Sequence, residues 1–277
     1  MTVSPLRLRK LLRNPSLLLG VLITLTVMGV ALVGHLYTPF APNAMEIANR
    51  TQSPDLTHPF GTDDFGRDIL SRVMAGASTA LTIGIVSVAF GLFLGVSIGF
   101  IAAHRLGWVD EVLMRIMDGT FAFPPLLFAV TIVAITGQGV LNTALAIGLI
   151  NVPIFARIAR GGFLSAKEQD FVEGARALGA PTSVIVLVHI LPNIMAPIIV
   201  QATVSLATAI LAEASLSYLG LGTQPPDPSW GRMLKESQSF FSRAPWMSIF
   251  PGLAIALTVL GFNLLGDGLR DWLDPRS

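Results

Sequence analysis

Few side chains in this 277-residue sequence have the types and spacings that support catalysis. A phosphate-binding P-loop ends in Gly-Lys-Ser or Gly-Lys-Thr, but none of the three lysines follows a glycine. The four histidines lie far apart, without the spacing of a metal site, and no His-Glu-x-x-His pattern occurs. We therefore expect no catalytic residue, no bound cofactor and no metal site in this chain.

Two polar side chains within apolar runs are the remaining candidates for chemistry. Glu213 lies near the end of one run, in Leu211-Ala-Glu-Ala-Ser-Leu-Ser-Tyr-Leu-Gly-Leu-Gly222. An acid inside a membrane could line a polar path or couple protons. It could instead bind a neighbouring helix or the start of a loop, which is the role that we favour. Asn263 lies in the last apolar run, where a polar path or helix packing would again explain it.

A compact polar insert separates two of the apolar runs. It reads Phe171-Val-Glu-Gly-Ala-Arg-Ala-Leu-Gly-Ala-Pro181 and is followed by His189-Ile-Leu-Pro-Asn193. Gly179 can adopt the left-handed conformation that ends a helix, and Pro181 suits the first turn of the next helix. Pro192 is expected to separate that second helix from the following apolar run. The insert is thus predicted to be an exposed helical element that a soluble partner could bind.

The composition indicates that lipid surrounds this chain. Hydrophobic residues make up 52% of it, charged residues 13%, and the mean hydropathy is +0.69, whereas a typical soluble domain has roughly 25% charged residues. The net charge of +1 gives no argument for a nucleic-acid partner. The absence of cysteine excludes disulfides and thiolate metal sites.

Long runs without charged residues predict six transmembrane helices, since a charge at mid-bilayer depth is costly. The run from 119 to 156 is too long for one crossing of about 30 Å, and Thr136-Gly-Gln-Gly139 predicts a hairpin within it. The other four spans are predicted at 17–36, about 80–103, 193–216 and 247–266. A stripe of small residues on the second span predicts close helix packing; it consists of Gly84, Gly91, Gly95 and Gly99.

The distribution of Lys and Arg predicts that both termini lie in the cytoplasm. In that orientation the outer segments hold six of these residues, leaving 12 of 18 (18 − 6) for the inner segments, as the positive-inside rule requires. The polar insert then lies in the cytoplasm. The first apolar run exceeds the core of a signal peptide, and no small-x-small cleavage site follows it, so we expect an uncleaved first span.

Two predicted outer segments are long. The first contains residues 58–72, His-Pro-Phe-Gly-Thr-Asp-Asp-Phe-Gly-Arg-Asp-Ile-Leu-Ser-Arg, with three acids and two arginines within ten positions. These charges either neutralise one another and tie the loop together, which we favour, or contact a protein that carries substrate. The apolar residues after Asp68 suggest a short helix on the membrane surface. The second, about 220–243, is a stiff proline-containing loop whose Trp230, like Trp246 after it, suits the membrane interface.

The polar insert resembles the EAA loop of ABC importer permeases, whose pattern is Glu-Ala-Ala-x3-Gly-x9-Ile-x-Leu-Pro. The matching residues are Glu173, Ala175, Gly179, Leu191 and Pro192. Gly174 replaces the middle alanine, and His189 stands where isoleucine is usual. His-Ile-Leu-Pro-Asn at that place and three further stretches, at 58–72, 213–222 and 263–276, resemble the dipeptide/oligopeptide/nickel branch of that family, in family order. The chain is most similar to the C-type permease subunits of that branch.

This resemblance implies an all-α, polytopic membrane protein with six transmembrane helices and the type I ABC importer permease fold, located in the bacterial inner membrane. Residues 1–72 would form the N-terminal tail, the first span and an outer loop. Residues 73–277 would form the permease core, with the cytoplasmic coupling loop at about 165–193. The coupling residues would be Phe171, Glu173, Gly174, Ala175, Arg176, Ala177, Leu178 and Gly179.

The resemblance also implies partners and a class of substrate. A second, different permease subunit would complete the pore, two ATPase subunits would bind ATP and Mg, and an outer-side binding protein would deliver the substrate. Peptides are the expected substrates, and nickel chelates, glutathione and opine-like compounds are alternatives.

An ion-coupled secondary transporter is the main rival class, because it also combines several spans with an intramembrane acid. Such a transporter usually carries polar groups deeper in its spans than Glu213. A membrane enzyme would need clustered catalytic groups, which the sequence does not show.

Overall fold

The computed structural model describes residues 14–273, and this part of the chain is helical without a β-strand. The predicted all-α class is therefore confirmed. We number its helices α1 (Pro15–Leu36), α2 (Ile69–Arg105), α3 (Gly107–Phe121), α4 (Pro125–Thr136), α5 (Val140–Lys167), α6 (Asp170–Ala177), α7 (Thr182–Leu219), α8 (Trp230–Ser237) and α9 (Trp246–Leu273). A short 3₁₀ turn at Ile47–Asn49 lies between α1 and α2, and another at Gln238–Phe240 lies between α8 and α9.

Helix α2 begins earlier than the sequence suggested. Asp68 caps its N-terminus by accepting a hydrogen bond from the Ser71 amide at 2.8 Å, and the helix then continues for 37 residues. The expected short surface helix after Asp68 is thus wrong, because those residues form the first turn of α2. Ile69 and Val73 are buried there rather than facing a membrane surface.

Five helices are long and apolar enough to cross a membrane, namely α1, α2, α5, α7 and α9. The third predicted span is not a straight helix. It consists of α3 and α4, which meet at a bend of 95°, next to Pro124 and Pro125. The 12 residues of α4 extend about 18 Å, short of a bilayer core of about 30 Å. The count of six spans holds when this bent pair is taken as one span.

The predicted glycine stripe brings α2 against α5. A methyl group added at Gly95 would lie 2.6 Å from both the Phe155 Cβ and the Val152 carbonyl oxygen. A Cβ added at Gly91 or Gly99 would approach atoms of α5 about as closely. At Gly84 the added Cβ would instead lie 3.3 Å from the Ile210 side chain of α7. Close packing of small residues is therefore confirmed, and it fixes the position of α5, whose far end leads into α6.

Pro192 does not separate two helices, contrary to the expectation from sequence. Helix α7 runs from Thr182 to Leu219 and contains a π-helical segment, Ile185–Ile190, just before Pro192. A wider turn shifts the backbone hydrogen bonds to i−5, so the missing proline N–H and its ring can be accommodated within the helix. The Asn193 side chain also donates to the His189 carbonyl oxygen at 2.6 Å. The α6 region is consequently joined to a long apolar helix without a break at Pro192.

Candidate functional site

The polar insert forms α6 and the turn that follows it. Val172 is fully buried and belongs to the same hydrophobic cluster as Phe163 of α5 and Ile185 of α7. Ala175, three residues later on the same face, is half-buried and packs against that cluster. These two residues hold α6 against the ends of α5 and α7. Val172 was not identified from the sequence, although its spacing from Ala175 is the signal that could have found it.

The end of α6 has the geometry predicted from Gly179. This glycine has φ = +78°, its amide donates to the Arg176 carbonyl at 3.0 Å, and the Ala180 amide donates to the Ala175 carbonyl at 3.1 Å. This pair of bonds is the Schellman motif, which needs a left-handed residue and favours glycine. The chain therefore turns sharply after α6 and enters α7 through Pro181.

The outer face of α6 is available to a partner. Leu178 is 90% exposed and Phe171 is 43% exposed. A Cβ added at Gly174 would contact nothing within 4 Å, so packing within this chain does not require a glycine there. The exposed residues of α6 and of the turn after it are Phe171, Glu173, Gly174, Arg176, Ala177, Leu178 and Gly179. An exposed surface with two large apolar side chains beside an acid and a base suits contact with another protein.

The charges of the first outer segment form an ion-paired cluster with the second. Arg67 contacts Asp63 at 2.5 Å and Glu236 of α8 at 2.9 Å, and Arg72 contacts the same two carboxylates at 3.7 Å and 3.4 Å. Burial and the neighbouring Asp63 carboxylate raise the pKa of Asp64. This geometry agrees with mutual neutralisation, the interpretation favoured from sequence. Glu236, which links the two segments, was not identified from the sequence.

Trp230 is buried inside the protein, so its side chain does not face lipid as the sequence suggested. Its indole N–H donates to the Val73 carbonyl oxygen at 2.9 Å, because α8 folds over the start of α2. Trp246 is half-buried and donates to the Thr62 carbonyl at 3.2 Å. Trp230 thus fastens the second outer segment to the start of α2, and Trp246 fastens the start of α9 to the first outer segment.

Glu213 is 1% exposed and binds the loop between α7 and α8. Its Oε1 atom accepts hydrogen bonds from the hydroxyls of Ser217 at 2.6 Å, Ser229 at 2.9 Å and Thr223 at 3.3 Å. These contacts agree with the favoured role, attachment of a loop to the helix end. Asn263 lies exposed on α9 and makes no hydrogen bond through its side chain to any residue between 14 and 273. Glu213 lies on α7 and Asn263 on α9, so neither belongs to α6, which carries the predicted coupling residues.

Between residues 14 and 273, no three His, Asp or Glu side chains lie together in a way that could hold a metal ion. The arrangement as a whole offers an exposed helix anchored to long apolar helices at one place and an ion-paired pair of loops at another.

Comparison with known proteins gives a consistent assignment. Residues 95–277 match the model of the family "Binding-protein-dependent transport system inner membrane component". The dipeptide transport system permease protein DppC of Alkalihalophilus pseudofirmus is 45% identical, over 99% of this chain and 91% of that protein. The glutathione transport system permease protein GsiD of Escherichia coli O157:H7 is 44% identical, over 97% of this chain and 89% of that protein.

A solved structure shares the fold. The fold matches a chain of the MetNI methionine ABC transporter in inward-facing conformations with a TM-score of 0.60 and 20% sequence identity, over 73% of this chain and 96% of that chain. At this identity the match supports the type I ABC importer permease fold alone. Taken with the family model, the two relatives and the long apolar helices, it shows that this chain belongs to the binding-protein-dependent inner-membrane components, the membrane permeases of ABC importers.

Proposed function

We propose that the chain forms half of the translocation path of an ATP-driven importer and that α6 is the element through which separate ATPase subunits move it. The observation that carries this proposal is the combination of an exposed outer face on α6 with the fully buried Val172 on its inner face. A helix that is held in this way transmits a displacement to α5 and α7 instead of moving independently of them.

The sequence of events follows from this anchoring. ATP and Mg bind to two ATPase subunits, and closure of that pair displaces the docked α6. Because Val172 belongs to the cluster shared with α5 and α7, the displacement reaches the long helices and alternates the access to the path. A second, different permease completes the path, and an outer-side binding protein delivers the substrate. Both termini and α6 lie in the cytoplasm of this bacterial inner-membrane protein.

Small peptides are the substrate class that we propose. The two relatives carry the names of dipeptide and glutathione transport systems and have nearly equal identities of 45% and 44%. Glutathione is itself a modified tripeptide, so both names point to short peptide-like solutes.

Site-specific photocrosslinking tests the docking of α6. The chain has no cysteine, so Leu178→Cys introduces a single thiol at a position that is 90% exposed. After attachment of maleimide-benzophenone in the purified transporter, we expect an adduct with an ATPase subunit. Trp108→Cys is the matched control, since Trp108 is 76% exposed and lies outside α6, on α3. An ATP-hydrolysing complex without an ATPase adduct at position 178 would contradict the proposal.

A further inference from the structure

A cleft lies directly beside α6. It has a volume of about 410 Å³ and opens between the last turns of α2 and α5, the flank of α6 that carries Arg176, and the start of α7. Its lining includes two aromatic rings and four polar groups, namely Phe100, Phe163, His104, Lys167, Arg176 and Thr182. No acidic residue lines it.

The basic groups of this cleft have no acidic partner. Among the ion pairs within residues 14–273, none includes His104, Lys167 or Arg176. Elsewhere on α5 the arginines are neutralised, since Arg157 and Arg160 each contact an aspartate at 2.5 Å. The helix thus pairs its other cations and leaves Lys167 unpaired, which gives the cleft a positive potential suited to an anion.

The inner wall of the cleft is apolar. The rings of Phe100 and Phe163 lie 5.2 Å apart, and the Phe100 ring lies 5.6 Å from that of His104. Phe163 is buried within the large hydrophobic cluster of α2, α5 and α7. A ligand that contacts both the basic side chains and the apolar wall of the cleft would combine a negative group with an apolar body. At the ends of transmembrane helices, basic pockets of this kind bind the headgroups of anionic lipids.

We propose that this cleft binds the phosphate headgroup of an anionic phospholipid, with its glycerol and upper acyl region against Phe100 and Phe163. The phosphate contacts Lys167 of α5 and Arg176 of α6, and so links the coupling helix to the span that precedes it. Two parts of this proposal rest on the proposed function: the effect of the link on coupling and the origin of the lipid in the cytoplasmic leaflet. The binding of the lipid does not rest on it.

Lipid retention measures the binding. The purified full-length chain in nanodiscs of phosphatidylcholine with a minor fraction of phosphatidylglycerol is released into a native mass spectrometer, and bound phosphatidylglycerol is counted. We expect the double variant Lys167→Gln/Arg176→Gln to lower its retention about tenfold or more, because two cationic contacts are lost. The charge-preserving double variant Lys167→Arg/Arg176→Lys should retain the lipid, which separates loss of charge from misfolding.

The control is Arg105→Gln/Arg115→Gln, which also removes two positive charges at this end of α2 and α3 without touching the cleft. Equal loss in this control would overturn the proposal, because general surface charge would then explain the retention. Inorganic phosphate provides the second arm. If phosphate alone binds to discs of pure phosphatidylcholine as tightly as the lipid, with the same loss in the Lys167/Arg176 variant, the site is for a free anion and the lipid assignment is wrong.

An activity measurement then separates this proposal from the proposed function. In the assembled transporter, replacing phosphatidylglycerol by phosphatidylcholine should lower ATP-driven uptake in the wild type. The single variant Lys167→Gln, at the end of α5 and outside the coupling residues, should make uptake less dependent on phosphatidylglycerol. Uptake that needs no ATP, together with intact retention of the lipid, would refute the proposed function alone. ATP-driven uptake with retention that ignores Lys167 and Arg176 would refute the lipid site alone.

Discussion

Shortening the buried anchor of α6 should uncouple ATP hydrolysis from transport. Val172→Ala removes two methyl groups from a side chain with no exposed surface. Their transfer is worth about 1.6 kcal/mol at 0.8 kcal/mol per buried carbon group, and the cavity that remains raises the loss to about 2–3 kcal/mol. An anchored state weakened by that amount loses about 30- to 150-fold in its equilibrium against a detached α6. The ATPase subunits would then move α6 without moving α5 and α7.

The assay is the ratio of substrate molecules imported to ATP hydrolysed in reconstituted transporter. We expect Val172→Ala to keep ATP hydrolysis and to lower this ratio several-fold. Val184→Ala is the matched control, because it makes the same chemical change nearby at a position that is 38% exposed. If both variants have the wild-type ratio, the burial of Val172 has no part in coupling and the anchoring role is wrong.

Three further changes have definite expected outcomes. Gly179→Pro should abolish coupling without preventing membrane insertion, because proline cannot adopt the φ of +78° found there; normal substrate-stimulated ATP hydrolysis would contradict this. Glu236→Gln should lower the free energy of unfolding by about 2 kcal/mol, since it removes the carboxylate that three arginines share. Glu111→Gln, at an exposed ion pair, should lower it by less than about 1 kcal/mol in the same denaturation assay. Reporter fusions after Pro226 and after Ser277 should give signals from opposite sides of the membrane, and signals from the same side would refute the proposed topology.

Features set by local backbone chemistry could be predicted from the sequence. The positive φ of Gly179 follows from the rule that glycine ends helices, and the tight contact at Gly95 follows from a small-residue stripe on an apolar helix. The outer charge cluster was also expected to neutralise itself, because acids and bases alternate within a few residues. In each case the signal lies within one segment of the chain.

Features that depend on contacts between distant segments could not be predicted. Val172 is buried because α5 and α7 close over it, and Glu236 matters because α8 folds back onto α2, 164 positions away from Arg72. The expectation that Pro192 separates two helices was wrong for a different reason. Proline is a reliable helix breaker only where the backbone keeps regular α geometry, and the π-helical segment before it removes that condition.

The most direct test of the central claim is solute uptake by liposomes that contain the purified transporter and enclose ATP. We expect peptide uptake to require enclosed ATP, the separate ATPase subunits and the outer-side binding protein, and to continue in the presence of an uncoupler. Uptake by this chain alone, or uptake that the uncoupler abolishes while ATP is present, would contradict the account and favour an ion-coupled transporter.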